Sequence, residues 1–437
     1  MLKASIVQNQ INTHKLELLK DLKILMQNSS VTGISQETAP FGKDVRKILD
    51  IIVSLGKTYG FKTKIVNDAM AYVQWGNDND NYVAIVGHLD VVNPGEGWSY
   101  PPFDLSEKQG VLYGRGILDN KGPIFSCLFG MKLLKDMGFK PQRTIRIIFG
   151  SDEESGSRDV ALYLEKEKPP YFGFTPDCKF PVVYGERGIV SYEIQTSFSQ
   201  SEIAQISQIQ GNQSADHVPD NLKVEVNGSS LNIKGKRTPT NAPEMGENAI
   251  TYLAKEIIEK KLVKNQIAKY FDWLYKSFHK KHFGQGLGIT FSDEESGKLI
   301  QTPYQLIKEG NNLILDIAIR YPVSINEEQI TKKIAKAIYP GSELKIIRSF
   351  PSVLHDKNSN YIKQLSQVYA YVMGKYYPPV TTTGATYART MPNIVAFGPS
   401  FPGQKGIAHK QDEWLKTSDL LKMLEIYMQS IYVMTIE

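Results

Sequence analysis

A chain of 437 residues is too long for one ordinary domain, and two or three domains are expected. Its net charge of +5, from 51 Lys+Arg against 46 Asp+Glu, is interspersed rather than gathered on one stretch, which argues against a nucleic-acid partner. Only Cys127 and Cys178 are present, so no disulfide framework is available. The start lacks the apolar stretch of a signal peptide, and no run reaches the roughly 20 apolar residues that span a bilayer. These features point to a cytoplasmic protein with no membrane partner.

Val45, Ile48, Leu49, Ile52 and Leu55 recur at helical spacing, with Gly60 just past the expected stop. Strand-like runs follow at Thr63–Val66 and Ala71–Trp75. The next run, Val83-Ala84-Ile85-Val86-Gly87-His88, is apolar throughout, as in a strand buried on both faces of a parallel sheet. Ile124–Met137 reads as a helix closed by Gly138, and Arg143–Phe149 as another buried strand. Alternating strands and helices imply a three-layer α/β/α domain with a mostly parallel sheet. After about Gly188 the texture changes. Val190–Thr196 and Leu222–Lys234 alternate like antiparallel strands, with Asn227-Gly228 as a hairpin turn. One long helical stretch is expected from Glu247 to about Phe278, a strand at Leu313–Tyr321 and a helix at Asn326–Ile338. This middle part reads as an inserted α+β domain. The first domain resumes near Pro351, with a helix at Tyr361–Met373 and a strand at Asn393–Phe397.

The residues that carry chemistry sit at strand ends and loops. His88 and Asp90 are two apart after the apolar strand, a spacing that lets a carboxylate orient a metal-binding imidazole. Asp119 lies in the glycine-flanked loop Gly114–Gly122, Glu153 and Glu154 follow a strand, Asp177 follows a turn, and His409 comes far downstream. Two histidines with several carboxylates are the inventory of a two-metal site. A nucleotide-binding alternative is weak, because Gly114-Arg115-Gly116 lacks the spacing of a phosphate loop.

These segments resemble the co-catalytic zinc peptidase superfamily of aminoacylases, glutamate carboxypeptidases, desuccinylases and carnosinases, nearest its bacterial dipeptidase V branch. The motifs are Gly87-His88-Leu89-Asp90-Val91-Val92, Gly114-Arg115-Gly116 with Asp119, Asp152-Glu153-Glu154-Ser155-Gly156, Thr175-Pro176-Asp177, Thr386-Tyr387-Ala388-Arg389, Ala396-Phe397-Gly398-Pro399 and His409. The resemblance covers nearly the whole chain and implies two zinc ions, with manganese or cobalt as alternatives. By position, Asp119 would bridge both ions, His88 and Asp177 would complete one, and Glu154 and His409 the other. Asp90 would orient His88, and Glu153 would be the general base that takes a proton from the attacking water and passes it to the leaving amine. Arg320 matches a lid arginine that clamps the substrate carboxylate. The implied organisation is a catalytic domain from residues 1–189 and 350–437 with residues 190–349 as an inserted lid. The implied activity is cleavage of small peptides, with a dipeptidase first, by a monomer or homodimer. An N-acyl amino acid amidohydrolase and a weakly active metal-binding homologue are the alternatives.

One position departs from this pattern. The family carries a lid histidine ahead of Pro-Glu-x-Gly-x-Asn-Ala, and here that position holds Pro239. Proline has no donor for the scissile carbonyl, and losing one such donor costs roughly 10²–10³ in turnover. Upstream, His217 stands in Asp216-His217-Val218-Pro219-Asp220 and is the candidate replacement. His14, His279, His282 and His355 read as surface residues.

Overall fold

Every residue of the strand Tyr82–His88 is buried, as expected for a strand in the centre of a sheet covered on both faces. The computed structural model, which describes residues 1–404 and 407–436, places it there. Thr144–Gly150 and Phe172–Thr175 flank it in parallel, and Ile394–Phe397 extends the parallel run beyond Phe172–Thr175. Antiparallel pairs close the sheet on both sides. Met70–Trp75 and then Lys62–Val66 lie beyond Thr144–Gly150, and Val182–Glu186 lies beyond Ile394–Phe397.

Alternation along these strands divides the core. Val83, Ile85, Ile147 and Phe174 pack with the helices Ala4–Met26, Lys43–Thr58, Lys121–Asp136, Asn360–Met373 and Thr417–Thr435. Ala84, Val86 and Ile148 face the other way, onto the short helix Arg158–Leu164 and the turn Tyr387–Arg389. The result is the three-layer α/β/α arrangement, with a thick helical layer on one face and a thin one on the other. Parallel register brings strand ends together: His88 lies opposite Gly150, and Ile85 opposite both Ile147 and Phe174. The loops that follow all three strands therefore leave from one edge of the sheet, where ligands of open α/β sheets bind.

The chain divides into two compact units, one of Met1–Tyr184, His355–Val380 and Gly384–Glu437, the other of Gly185–Leu354 with Thr381–Thr383. The second unit has an antiparallel sheet in the order Ile300–Glu309, Asn312–Tyr321, Gly188–Ser197, Glu343–Phe350. A smaller sheet joins Ile206–Gly211, Asn221–Val226 and Ser229–Lys234, and its hairpin turns at Asn227 and Gly228, both with positive φ. The single long helix expected from Glu247 to Phe278 is instead two, Ala249–Glu259 and Asn265–Phe278. The first ends in a Schellman closure: Leu262 N–H donates to Ile257 O, and Lys261 N–H to Ile258 O, with Lys261 left-handed at φ 51°. A lysine at that position carries none of the signal that a glycine would. No helix among the described residues is long and apolar enough to cross a membrane.

Asp316 lies mid-strand in the second unit, 7% exposed, across from Glu193. Burial and the Glu193 charge raise its carboxyl from 3.8 to about 6, and a hydrogen bond from Tyr304 only partly offsets them. Between about pH 4 and pH 6 the folded chain therefore holds this proton more tightly than the unfolded chain does, so stability falls as pH rises through that window. Asp316→Asn is expected to raise the melting temperature by a few degrees at about pH 8 and to change it little near pH 4. Calorimetric scans at the two pH values check this, and an equal shift at both would refute it.

Candidate active site

His88 ends the central strand, and its ring is fully buried. Its Nδ1–H donates to the main-chain carbonyl of Asp90 at 2.9 Å, while the Asp90 carboxylate stands 3.5 Å away. Asp90 thus holds the ring chiefly through its backbone. Its Oδ2 instead accepts from Glu154 N–H at 3.1 Å, tying one strand end to the next. Asn120 joins two strand ends as well: its amide donates to Pro176 O at 2.5 Å and its Oδ1 accepts from His88 N–H at 3.4 Å. Gly87 makes room for this, because a Cβ there would lie 2.4 Å from Asn120 Oδ1.

The remaining imidazole nitrogen, His88 Nε2, faces Asp119 Oδ1 at 3.2 Å and Asp177 Oδ2 at 3.6 Å. His409 Nε2 meets the other oxygen of Asp119, Oδ2, at 3.0 Å, and Glu154 Oε1 at 3.0 Å. His409 is half exposed and adopts φ 63°, the left-handed backbone that residues other than glycine enter mainly at special sites. Glu153 offers a carboxylate oxygen within 4.8 Å of ligand atoms of His88 and Asp177, and His88, Asp119 and Glu154 form a second such group. Donor atoms bound tetrahedrally at about 2.0–2.1 Å stand about 3.3 Å apart, and the four separations above bracket that value. The residues fit a pair of metal ions.

Electrostatics supports the same reading. Among the described residues, the ion pairs of Asp90, Asp119, Glu154 and Asp177 are with His88 and His409, and Glu153 stands beside His88. Burial would depress His88, yet the charge of Asp177 and bonds to Asp119 and Asp90 hold it well above its usual value. Bonds to Asp119 and Glu154 raise His409 to about 11. Burial raises Asp177 to about 7, with Asp119 adding to the rise and His88 opposing it. Burial, then the charges of Asp177 and Glu154, push Glu153 well above 4.5. Glu153, Glu154 and Asp177 rise together with the imidazoles, as expected where negative charge is crowded, while Asp119, which burial alone would raise, is held below its usual value by bonds to His409 and His88.

The other two candidates lie in the second unit. Arg320 is half-buried on Asn312–Tyr321, between Ile189 and Ile300 on its neighbouring strands. His217 forms an antiparallel bridge with Pro239, flanked by Val218 N–H to Thr238 O at 2.7 Å and Thr240 N–H to Asp216 O at 3.1 Å. His217 is 7% exposed, its Nδ1 bonds Asp216 Oδ1 at 2.8 Å, and its Nε2 has no partner among the described residues. His14, His279, His282 and His355, read from sequence as surface residues, are half-buried; His279 stacks on Tyr275.

Sequence reasoning missed the residues that hold these loops. Asp159 accepts from Ser151 N–H at 2.7 Å and Asp152 N–H at 3.2 Å, just ahead of Glu153. Tyr387 also donates to Asp159, and its ring sits edge-on to His88. Asp152 is bound by Arg158 through Nε at 2.8 Å and Nη2 at 2.7 Å. Buried Glu413 receives the loop ahead of Asp119.

A mostly parallel α/β sheet carrying paired acidic and imidazole donors at its carboxyl edge is the frame of a metal-dependent hydrolase. Residues 84–432 match the profile of Peptidase family M20/M25/M40, and the chain belongs to that family and is a metallopeptidase. The Bacillus subtilis (strain 168) protein described as "Putative dipeptidase YtjP" is 30% identical over 96% of this chain and 97% of its own length. Among solved structures, human carnosine dipeptidase 1 is similar at a TM-score of 0.62 and 14% identity, covering 99% of each chain. Bacillus subtilis YXEP, described as a dinuclear metal binding peptidase, is similar at a TM-score of 0.51 and 13% identity, covering 97% of this chain and 99% of its own. These two likenesses bear on the fold.

Because Asp119 presents one oxygen to each histidine, Asp119→Ala is expected to abolish uptake of both ions rather than one. Elemental analysis of metal-reconstituted protein checks this, and retention of one ion per chain would count against the shared position.

Proposed function

We propose that this metallopeptidase is a dipeptidase, acting on small peptides in the cytoplasm with two divalent ions of the zinc class. His88 and Asp177 would hold one ion, Glu154 and His409 the other, with Asp119 shared. The observation that carries this reading is that the two oxygens of Asp119 face two different imidazoles, at 3.2 and 3.0 Å. Such ions, when bound, acidify water and polarise a carbonyl.

The chain's own residues supply the proton handling. Glu153 is not part of the Asp119 contacts, stands close to His88 and Asp177, and has a carboxyl raised by burial and neighbouring charge. A raised carboxyl can take a proton from water and return it to a leaving amine, which suits Glu153 to the general base and acid role. Asp90 keeps the tautomer of His88 that leaves Nε2 free for a cation. In the second unit, with residues 190–349 as the lid, Arg320 would receive the substrate carboxylate, and His217 would donate to the scissile carbonyl in place of the missing histidine at 239. The bridge between His217 and Pro239 supports that replacement, since side chains of directly opposed residues leave the same face with Cβ atoms about 4.5–5.5 Å apart.

Glu153→Ala is expected to retain metal while turnover of a dipeptide falls by at least about 10². Loss of metal instead would exchange the roles of Glu153 and Glu154. The wild-type protein is expected to hydrolyse ordinary dipeptides slowly, and a chelator should stop it. His217→Ala should reduce turnover further. An unchanged rate in His217→Ala, measured beside an inactive Glu153→Ala, would remove His217 from the mechanism, and rapid dipeptide turnover by the wild type would contradict the expected slowness.

A further inference from the structure

Glu413 lies outside the set of residues that face the imidazoles, yet it is fully buried and among the most heavily bonded side chains of the first unit. Its Oε1 accepts from Leu118 N–H at 2.8 Å and Asp119 N–H at 3.1 Å. Its Oε2 accepts from Arg115 Nη1 at 2.8 Å and Gly116 N–H at 3.2 Å. Its own carbonyl accepts from Gly114 N–H at 3.1 Å. Every one of these donors belongs to the loop that ends at Asp119. Arg115, 1% exposed, is fixed in turn beneath the face of Trp98, 5.1 Å from the ring centre.

Glu413 also follows His409 by four residues, in the segment that brings the second imidazole to Asp119. One carboxylate therefore joins the two loops whose side chains meet at His409 Nε2 and Asp119 Oδ2, 3.0 Å apart. Resting on the reading of Asp119 as the shared ligand, we propose that Glu413 is the positioning residue of the metal centre: it fixes Asp119 by its main-chain N–H, and so holds the carboxylate at the spacing that serves both His88 and His409.

The chemistry requires a carboxylate in particular. Two oxygens offer about four lone-pair sites, which match the four N–H donors. A glutamine has one such oxygen, and its amide would set an N–H against donors of the loop. Among the described residues Glu413 bonds Asp119 through its main-chain N–H, which leaves both Asp119 oxygens for cations, and the charges of the two carboxylates repel each other. Residues that orient ligands in this way typically govern metal affinity by about 10–100-fold.

The test uses the full chain, stripped with a chelator and titrated with Zn²⁺ against a competing chromophoric chelator, with the melting temperature of each stripped protein measured alongside. Glu413→Gln is expected to bind zinc about 10–100-fold more weakly than wild type. Ile52→Ala, a core truncation in the helix Lys43–Thr58, is expected to lower the melting temperature and leave zinc affinity unchanged. This control separates positioning from a general loss of stability. Wild-type zinc affinity in Glu413→Gln would overturn the proposal, and so would an equal loss of affinity in Ile52→Ala. Should Glu413→Gln fail to fold, Arg115→Lys is read instead. It keeps the charge but withdraws the guanidinium fork, and undiminished affinity there would also overturn the proposal. A wild-type chain that takes up no zinc would overturn the metal reading itself, a separate failure visible before any variant is compared.

Discussion

Concentrated negative charge is the constraint around which the first unit is built. Carboxylates cost free energy to bury and repel one another, and the protein tolerates them only when each has a counter-charge or donors. Seven of its buried or half-buried acids fall into two sets. Glu413, Asp152 and Asp159 are satisfied by the protein: Glu413 by Arg115 and loop N–H groups, Asp152 by Arg158, Asp159 by three main-chain N–H groups and Tyr387. Asp119, Glu154 and Asp177 have histidine partners, and Glu153 has other acids as neighbours. The first set holds loops, and the second gathers four carboxyls around two imidazoles.

The buried cations of the same unit follow a matching division. Arg146 lies between the rings of Tyr72 and Tyr82, 4.1 Å from each centre, and pairs with Glu167 at 2.8 Å. Lys121 starts a helix two residues beyond Asp119, but its ammonium turns away to the carbonyls of Asn28 at 2.8 Å and Leu25 at 3.3 Å, at the end of the helix Ala4–Met26. Arg115 is committed to Glu413. These three side chains make their hydrogen bonds and ion pairs with packing, cap and loop partners, and among the described residues none of them pairs with Asp119, Glu153, Glu154 or Asp177, although Lys121 feels the charges of Glu413 and Asp90. That placement makes an external cation the natural counter-charge and accounts for the fit of the donor atoms to metal geometry.

Much of this was legible in the sequence because its signals are local. An apolar run ending in His-Leu-Asp, a glycine-flanked Asp119 and the adjacent Glu153 and Glu154 at a strand end each announce both an element and a chemistry. The elements that escaped lacked such marks. The helix Ala4–Met26 starts at Lys3 without a capping side chain, and Thr417–Thr435 is buried on nearly all sides, which removes the polar face that periodicity needs. The holding residues escaped for a different reason. Glu413 and Asp159 bond mostly to main-chain N–H groups, which every residue but proline possesses, so no pairing of residue types betrays them. Asp90 illustrates the limit from the other side: His-x-Asp suggests a carboxylate contact, whereas the chain turns so that the backbone carbonyl reaches Nδ1 first.

Pro239 is accommodated by the geometry of its bridge. The pair His217 and Pro239 is flanked by bonds from Val218 and Thr240, so it occupies the position between ladder bonds, where an antiparallel pair makes none of its own. A proline there forfeits no hydrogen bond, and opposed side chains approach most closely at such positions, with Cα atoms about 4.5 Å apart. An imidazole on either strand of this pair thus starts from nearly the same place and leaves the same face. Its chemistry would nonetheless differ from that of an unconstrained histidine. With the Nδ1–H of His217 given to Asp216, the ring can donate through Nε2 only as an imidazolium, because the neutral ring has a single N–H. The proposed replacement donor would therefore act through a ring that carries a proton on each nitrogen, with the Asp216 carboxylate 2.8 Å from Nδ1.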